Sequence, residues 1–339
     1  MSDASGTHAR EDGASNGAAA DAALGPFRSD AHAEQQERIA CPLCGAHDEA
    51  PVLVASDLIF KKPGSYALVR CNACGLEYVN PRPTPAALGA HYPDDYFGYS
   101  KHEDAPGWMR PFLEAMARDI SLRRIRYLER VTGKIQPRWE LLDVGCGPNR
   151  LLVDVKKERG CVGTGLDFKP EMVAHVRDVL RMPIVQGTIE SAHLAAGRFD
   201  VVWMMEYLEH EPDPRGVLAE ARRIIRPGGH LALELPHIAA WPARLFGRYW
   251  WNLDVPRHLV FFTPDTLRRA LDAAGFELVR TQPFTLPLYA GMSLAQALGL
   301  RHWSRHKDLY PLVSGVLALP LLPFQALMPE FLFAVAKAK

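Results

Sequence analysis

The feature that most limits what this chain can fold into begins at Trp139, where short apolar runs start to alternate with amphipathic stretches. Residues 140–144, 162–166, 184–186 and 199–204 are mostly apolar and too short for helices, which predicts strands. Residues 151–158, 171–180 and 214–225 repeat apolar side chains at helical spacing. Strands and helices in strict alternation bury a parallel sheet between two helical layers, so the expected fold is α/β with a doubly wound sheet. The pattern continues through the turn Arg226-Pro-Gly-Gly229 into a strand at 230–235 and a helix over 264–274 stopped by Gly275. A last strand pair is expected at 276–280 and 331–336.

The remaining residues divide around this core. Residues 1–38 hold almost no large apolar side chains and cannot offset their own ordering entropy, which predicts a disordered tail. A cysteine-bearing module is expected over 39–82. It ends in Asn80-Pro-Arg-Pro-Thr-Pro85, whose prolines stop both helix and sheet. Residues 83–138 read as a helical linker, with a short helix capped by Thr84 and a longer one over 111–131. Within the latter, Ser121-Leu-Arg-Arg-Ile-Arg126 is expected to be a solvated face. With 39 basic against 39 acidic side chains there is no net field to attract nucleic acid. The start of the sequence lacks the basic and apolar pattern of a signal peptide, and four of the six cysteines sit in metal-like pairs. A reducing cytoplasm is the expected compartment.

The strand at 140–144 runs directly into Gly145-Cys-Gly147 and a helix follows, so the glycines occupy a sharp turn where backbone can approach a ligand closely. Asp143, just before the glycines, is placed to pair with an ammonium group. Asp167, at the end of the next strand, is placed to accept hydrogen bonds from ribose hydroxyls. Two carboxylates facing one ligand favour a cationic sulfonium nucleoside over a dinucleotide, whose third fingerprint glycine is also missing. Over 139–282 the chain resembles class I S-adenosylmethionine-dependent methyltransferases. Leu142-Asp-Val-Gly-Cys-Gly147 is similar to their first motif and Gly165-Leu-Asp167 to their second-strand acid. Phe199-Asp-Val-Val-Trp-Met-Met-Glu-Tyr-Leu-Glu-His210 resembles their fourth strand and the segment after it, and Ile224-Ile-Arg-Pro-Gly-Gly-His230 the turn before their fifth. The resemblance implies a Rossmann-like sheet and S-adenosylmethionine as cofactor. It implies adenine near 186–189, read by backbone amides around Thr188 and Ile189, with Thr188 standing where that loop usually carries an acid. Cys146, Phe168 and Glu206, neighbours of these motif residues, are counted with the cofactor contacts.

Cys41-Pro-Leu-Cys44 and Cys71-Asn-Ala-Cys74 are each followed by glycine, which lets two thiolates converge on one tetrahedral ion. Four sulfurs leave no open position, so a Zn2+ held by Cys41, Cys44, Cys71 and Cys74 is expected to be structural. Unligated thiols or a redox pair are the alternative. Cys161 reads as a packing residue. The arrangement resembles bacterial methyltransferases of the methyltransferase-domain-23 type with an N-terminal zinc ribbon, many of which look like tailoring enzymes for sugars, glycans or secondary metabolites.

Methyl transfer from a sulfonium mainly requires alignment and, for oxygen or carbon acceptors, removal of a proton. His258, in the connection after the fifth strand, is the first candidate base, with a packing role as its alternative. His210 is a second candidate for contact with cofactor or substrate, and Arg257 for holding an acidic group of the substrate. Glu206, Glu209 and His210 are spaced to share one helix face, an arrangement similar to a segment of ubiquinone-type O-methyltransferases with a proposed divalent-metal role. The aromatic stretch 241–262 is expected to be a lid, an apolar wall or packing. The insertion 286–329 contains Leu312-Val-Ser-Gly-Val-Leu-Ala-Leu-Pro-Leu-Leu-Pro-Phe-Gln-Ala-Leu-Met328, too short and proline-broken for an ordinary span, and is expected to be an interfacial hairpin or a core or dimer contact. The expected function is O- or C-methylation of a small molecule, a sugar, glycan or lipid-linked compound, without nucleic acid and with a peripheral contact at the inner membrane face. A nicotinamide-dependent oxidoreductase and a catalytically inert zinc-ribbon binding module are the alternatives.

Overall fold

The computed structural model describes residues 35–94, 96, 106–148, 150–300, 309–321, 323 and 329–339. Most of the expected tail lies outside them, and so does part of the apolar insertion. The N-terminal part is built from β1 (Gln36–Glu37), β2 (Glu49–Ala55), β3 (Tyr66–Cys71), β4 (Glu77–Val79) and β5 (Arg82–Pro83). Helices α1 (Pro85–Leu88) and α2 (Arg110–Thr132) follow. The alternating region then gives β6 (Leu141–Val144), α3 (Leu151–Arg159), β7 (Thr164–Asp167), α4 (Pro170–Asp178) and β8 (Ile184–Gln186). It continues with β9 (Phe199–Met205), α5 (Pro214–Ile224), β10 (Ile225–Pro236), α6 (Trp241–Phe246), β11 (Val260–Phe261) and α7 (Pro264–Ala273). The chain ends with β12 (Phe276–Phe284), α8 (Pro287–Ala297), α9 (Tyr310–Ala318) and β13 (Phe331–Ala338).

The main sheet runs β12-β13-β10-β9-β6-β7-β8. Its strands β10, β9, β6, β7 and β8 are parallel, and β13 inserts antiparallel between β10 and β12. The central strands β6 and β9 are buried on both faces, which is why they are rich in apolar residues. This is the expected α/β, Rossmann-like arrangement. Because β6 lies at the centre, where the order of connections reverses, its carboxyl end opens a crevice that binds ligands in open sheets of this kind.

Local chemistry sets the helix boundaries. The Thr84 hydroxyl accepts from the Ala87 N–H at 3.3 Å, with Pro85 in the first turn. Thr263 and Thr266 form a reciprocal cap on α7. In α2, Ser121, Arg124, Ile125 and Leu128 are buried, three and four residues apart, so one face lies on the sheet. The expectation of a solvated arginine face is corrected here for Arg124, whose guanidinium turns inward to two carboxylates.

The cysteine module does not close on itself. Its sheet runs β11-β4-β3-β2, and β11 comes from the segment that follows β10 by more than twenty residues. Cys41, Val69, Cys71 and Tyr78 share one apolar cluster with Leu259, Phe262 and residues of the main sheet. The apolar insertion forms the packed pair α8 and α9, crossing so closely that a Cβ at Gly291 would collide with the Ser314 carbonyl. Among the described residues no helix is long and apolar enough to cross a membrane.

Candidate active site

The turn after β6 is made by glycines that no other residue replaces easily. Gly145 and Gly147 have φ of +66° and +48°, and a Cβ on Gly145 would stand 2.5 Å from the Tyr207 ring. The turn is tied to β7 by Asp167, whose carboxylate accepts from the Gly147 N–H at 3.0 Å and the Lys169 N–H at 2.9 Å. Burial pushes the Asp167 carboxyl up from its ordinary range and these amides pull it down again, with the net shift upward. A carboxylate has about four acceptor sites, so hydroxyls of a ligand still find places on it. Asp143 is 1% exposed at the end of β6. Phe168 stands 57% exposed next to Asp167 and offers a ring face, whereas Ile189 is buried and Thr188 is an exposed partner of Ser191.

Beside this turn opens a cavity of about 480 Å³. Gly145, Cys146, Gly147, Glu206, His210 and His258 all reach it, so the structure brings together six of the residues singled out from the sequence. Asp143, Asp167, Phe168, Thr188 and Ile189 are not on its wall; they lie at the ends of β6, β7 and β8 or in the loops that follow. Leu113, Met116 and Ile120 of α2 and Leu288, Tyr289 and Met292 of α8 give the cavity apolar surface, beside Asp119, Ser121, Arg123 and Arg124 of α2.

At the polar end of the cavity Glu206 meets two charges that were not assigned to the site from the sequence, Arg124 and Glu234. Arg124 Nε lies 3.0 Å from Glu234, and Nη2 lies 3.2 Å from Glu206. Burial disfavours the guanidinium charge, but Glu234, Glu206 and Asp143 hold it above its usual range. Burial and the charge of Glu234 push the Glu206 carboxyl up to about 7. A zwitterionic amino-acid group would meet both signs of charge here. The signal for Arg124 was its helical spacing with Ser121, Ile125 and Leu128.

Glu206, Glu209 and His210 do not share a helix face. Glu206 has φ of +55°, which breaks the helix, and only Leu208–His210 form a single 3-10 turn. Instead Glu209, His210 and His258 gather one possible ligand atom each within 4.8 Å of one another. Glu209 is fully buried, and neither carboxylate oxygen has a hydrogen-bond partner among the described residues. Burial drives its carboxyl well above the ordinary range. The two imidazoles meet edge to face at 4.6 Å. His258 Nδ1 lies 2.8 Å from the Asn252 carbonyl, which can only accept, so Nδ1 carries the proton and Nε2 keeps a lone pair. His210 Nδ1 donates in the same way to the Arg257 carbonyl at 3.1 Å. Burial lowers both imidazoles to about 3, so both are neutral acceptors. Asn252 is itself held by Glu330 at 3.3 Å, and Glu330 also accepts from Trp250 at 2.7 Å.

Arg257 does not reach the cavity. Its five N–H groups are taken by Asp57, Asp254 and the His91 carbonyl, and it is completely buried, so its expected role in holding an acidic substrate group is withdrawn. Of the aromatic stretch, Trp251 lines the cavity, Trp250, Phe261 and Phe262 are buried, and Trp241 and Tyr249 are exposed.

The four cysteines converge as their spacing predicts. Sγ of Cys41 and Cys74 lie 3.5 Å apart, as do those of Cys44 and Cys71, too far for disulfides. All four sulfurs fall within 4.8 Å of one another, close to the roughly 3.8 Å edge of a tetrahedron with Zn–S bonds of about 2.3 Å.

A family model described as a methyltransferase domain matches residues 112–281, which is half of the chain. The chain is similar to the ubiquinone biosynthesis O-methyltransferase of Vibrio parahaemolyticus, with 36% identity over 140 residues, 39% of this chain and 56% of that one. The enzyme of the same name from Pectobacterium atrosepticum is 34% identical over 145 residues, 39% of this chain and 60% of that one. The match thus spans somewhat more than half the length of these curated relatives. A solved S-adenosylmethionine-dependent methyltransferase from Archaeoglobus fulgidus is similar over 65% of this chain and 94% of its own, with 19% identity and a TM-score of 0.44. The glycine turn at the centre of the sheet thus lies inside the matched region, and the chain belongs to the methyltransferase-domain family, whose methyl donor is S-adenosylmethionine.

Proposed function

We propose that the protein transfers a methyl group from S-adenosylmethionine to a hydroxyl oxygen of an apolar small molecule, with His258 as the base. One observation carries this reading: the glycine turn and the neutral imidazole of His258 face the same mostly apolar cavity. When bound, the donor supplies an electrophilic methyl carbon on a sulfonium and leaves as a neutral thioether. Asp143 would hold its ammonium group, Asp167 its ribose, and Phe168, Thr188 and Ile189 would border its adenine. The acceptor oxygen forms the new C–O bond as the C–S bond breaks, and its proton passes to His258 Nε2.

The acceptor follows from the walls. The sugar or glycan expectation is set aside, because the relatives are named for ubiquinone biosynthesis and the apolar residues of α2 and α8 suit an acceptor with apolar surface. An imidazole this weakly basic suits a phenol, with pKa about 10, far better than an alcohol. An alkyl-substituted phenol or catechol is therefore the acceptor class. The nicotinamide alternative falls with the family match, and the cavity supports catalysis over an inert binding module.

Exposed Trp108 and Phe112 precede the α2 residues that line the cavity, and exposed Leu309, Leu312, Val316 and Leu319 flank Pro311, which also lines it. These support a peripheral contact with the inner face of the cytoplasmic membrane through 286–329, from which an apolar acceptor would enter. The four cysteines would hold one structural Zn2+. The test is methylation of 4-tert-butylcatechol by the purified protein, where formation of the methyl ether supports the reading and turnover of a sugar alone refutes it. A second reading, a divalent cation on Glu209, His210 and His258, is favoured by the buried Glu209 carboxylate. It predicts about two metal ions per chain instead of about one, with the second lost on Glu209→Gln.

A further inference from the structure

We propose that Asp57, in the connection after β2 of the cysteine module, is a positioning residue for methyl transfer, acting through Arg257 on the loop that carries His258. This rests on the reading of His258 as the base.

Asp57 Oδ2 accepts from Arg257 Nη1 at 2.9 Å and Oδ1 from Nη2 at 2.9 Å, a two-bond fork with both side chains wholly buried. Asp57 is itself fixed, since Oδ1 also accepts from the Ile59 and Phe60 N–H groups at 3.1 and 2.8 Å. The other side of the guanidinium is taken by Asp254, 2.9 Å from Nε, and by the His91 carbonyl at 3.0 Å, and the Phe60 ring lies 4.7 Å away. Every N–H of Arg257 is used, two of the bonds going to Asp57 of the module and the others to Asp254 and the His91 carbonyl, so the side chain is fixed in one orientation. That backbone does two things at the cavity. The Arg257 carbonyl orients His210, and the next residue is His258.

Further contacts hold the same loop from the same direction. Val79 of β4 donates to the Leu259 carbonyl at 2.9 Å, and Val260 pairs with Tyr78 in the shared sheet. His258 thus lies between Arg257 and β11, each of which bonds to the cysteine module. A buried ion-pair network of this kind is a poor source of stability but a strong geometric constraint: without the Asp57 carboxylate, Arg257 stays paired to Asp254 but loses the fork that fixes its orientation. Misplacement of a reacting group by about 1 Å can cost on the order of a hundredfold in rate.

The experiment uses the full chain and Asp57→Asn, with four readouts: zinc content, S-adenosylmethionine affinity by titration, the nitrogen chemical shifts of His258 in 15N-histidine-labelled protein, and the kinetics of methylation. We expect unchanged zinc and cofactor affinity, a His258 signal that moves from the Nδ1–H tautomer towards a mixture, and methylation of 4-tert-butylcatechol slowed about tenfold to a hundredfold with KM little changed. In a His258→Ala background, Asp57→Asn should cost almost nothing further, whereas a merely structural role would add its own loss. An unmoved His258 signal in folded Asp57→Asn, or additive losses, overturns the proposal. If Asp57→Asn does not fold, Asp57→Glu decides by the same signal, a shifted resonance supporting the proposal and an unshifted one overturning it. Should His258→Ala alone leave the rate untouched, the assignment of the base fails instead, while the His258 signal still reports whether Asp57 positions the loop.

Discussion

At the scale of single residues the site depends on which side chains are kept charged and which neutral. His258 is held neutral by burial, which lowers its pKa to about 3, so its acceptor form persists as pH falls well past the ordinary histidine value. The account therefore predicts a kcat profile with no loss through pH 6.5, the acid limb appearing only at lower pH. A rate that halves near 6.5 would mean that the base titrates as an exposed imidazole. His258→Ala should lower kcat by about two to four orders of magnitude while S-adenosylmethionine affinity stays within a few fold. Asp143, Gly145, Gly147 and Asp167 were legible in the sequence because a strand, a turn and a carboxylate at its edge are local features. Arg124, Asn252 and Glu330 were not, because each takes its meaning from a partner far along the chain: Glu234 for Arg124, His258 for Asn252, Trp250 for Glu330. Arg257 misled for a related reason, since Asp57, which takes two of its bonds, lies 200 residues away in sequence.

At the scale of elements, alternation alone led to the sheet, because buried parallel strands must be apolar and the helices between them must each show one apolar face. The boundaries moved where hydrogen bonding outran composition. Strand β10 starts at Ile225 rather than His230, since Ile225 already pairs with Phe199 ahead of an irregularity in register. The helix expected through Glu206 and His210 failed on one backbone angle, the positive φ of Glu206. The apolar insertion read as an interfacial hairpin or a core or dimer contact; its packing as α8 against α9 rests on a small residue at the crossing. Gly291→Val should therefore destabilise the fold by about 1–3 kcal/mol and weaken binding of an alkyl catechol more than binding of S-adenosylmethionine. Thermal melts and titrations with each ligand measure the two effects. An unchanged melt would mean that the helices do not meet as described. Leu312→Glu with Val316→Glu should abolish cosedimentation with anionic vesicles without changing the rate on soluble catechol, and retained cosedimentation would remove the membrane contact.

At the scale of the whole molecule, the N-terminal module and the α/β domain share a sheet and an apolar cluster. The cysteine spacing predicted four converging sulfurs, but not that β11 would be borrowed from beyond β10. The ligand set is written in one short stretch of sequence, and the pairing partner is not. Removing zinc with a strong chelator should lower the melting temperature of the intact chain and slow methyl transfer, with both restored by added Zn2+. No change in melting would mean the sulfurs hold no ion. In the proposed function the glycine turn, with Asp143 and Asp167 at the ends of adjacent strands, would form the seat of the sulfonium donor. Calorimetric titration of S-adenosylmethionine into wild-type protein and into the Asp143→Ala, Asp167→Ala double variant tests it directly. The account predicts one site per chain and a loss of affinity on the order of a hundredfold or more in the variant, about 2.7 kcal/mol. Equal affinity in the two proteins would contradict it.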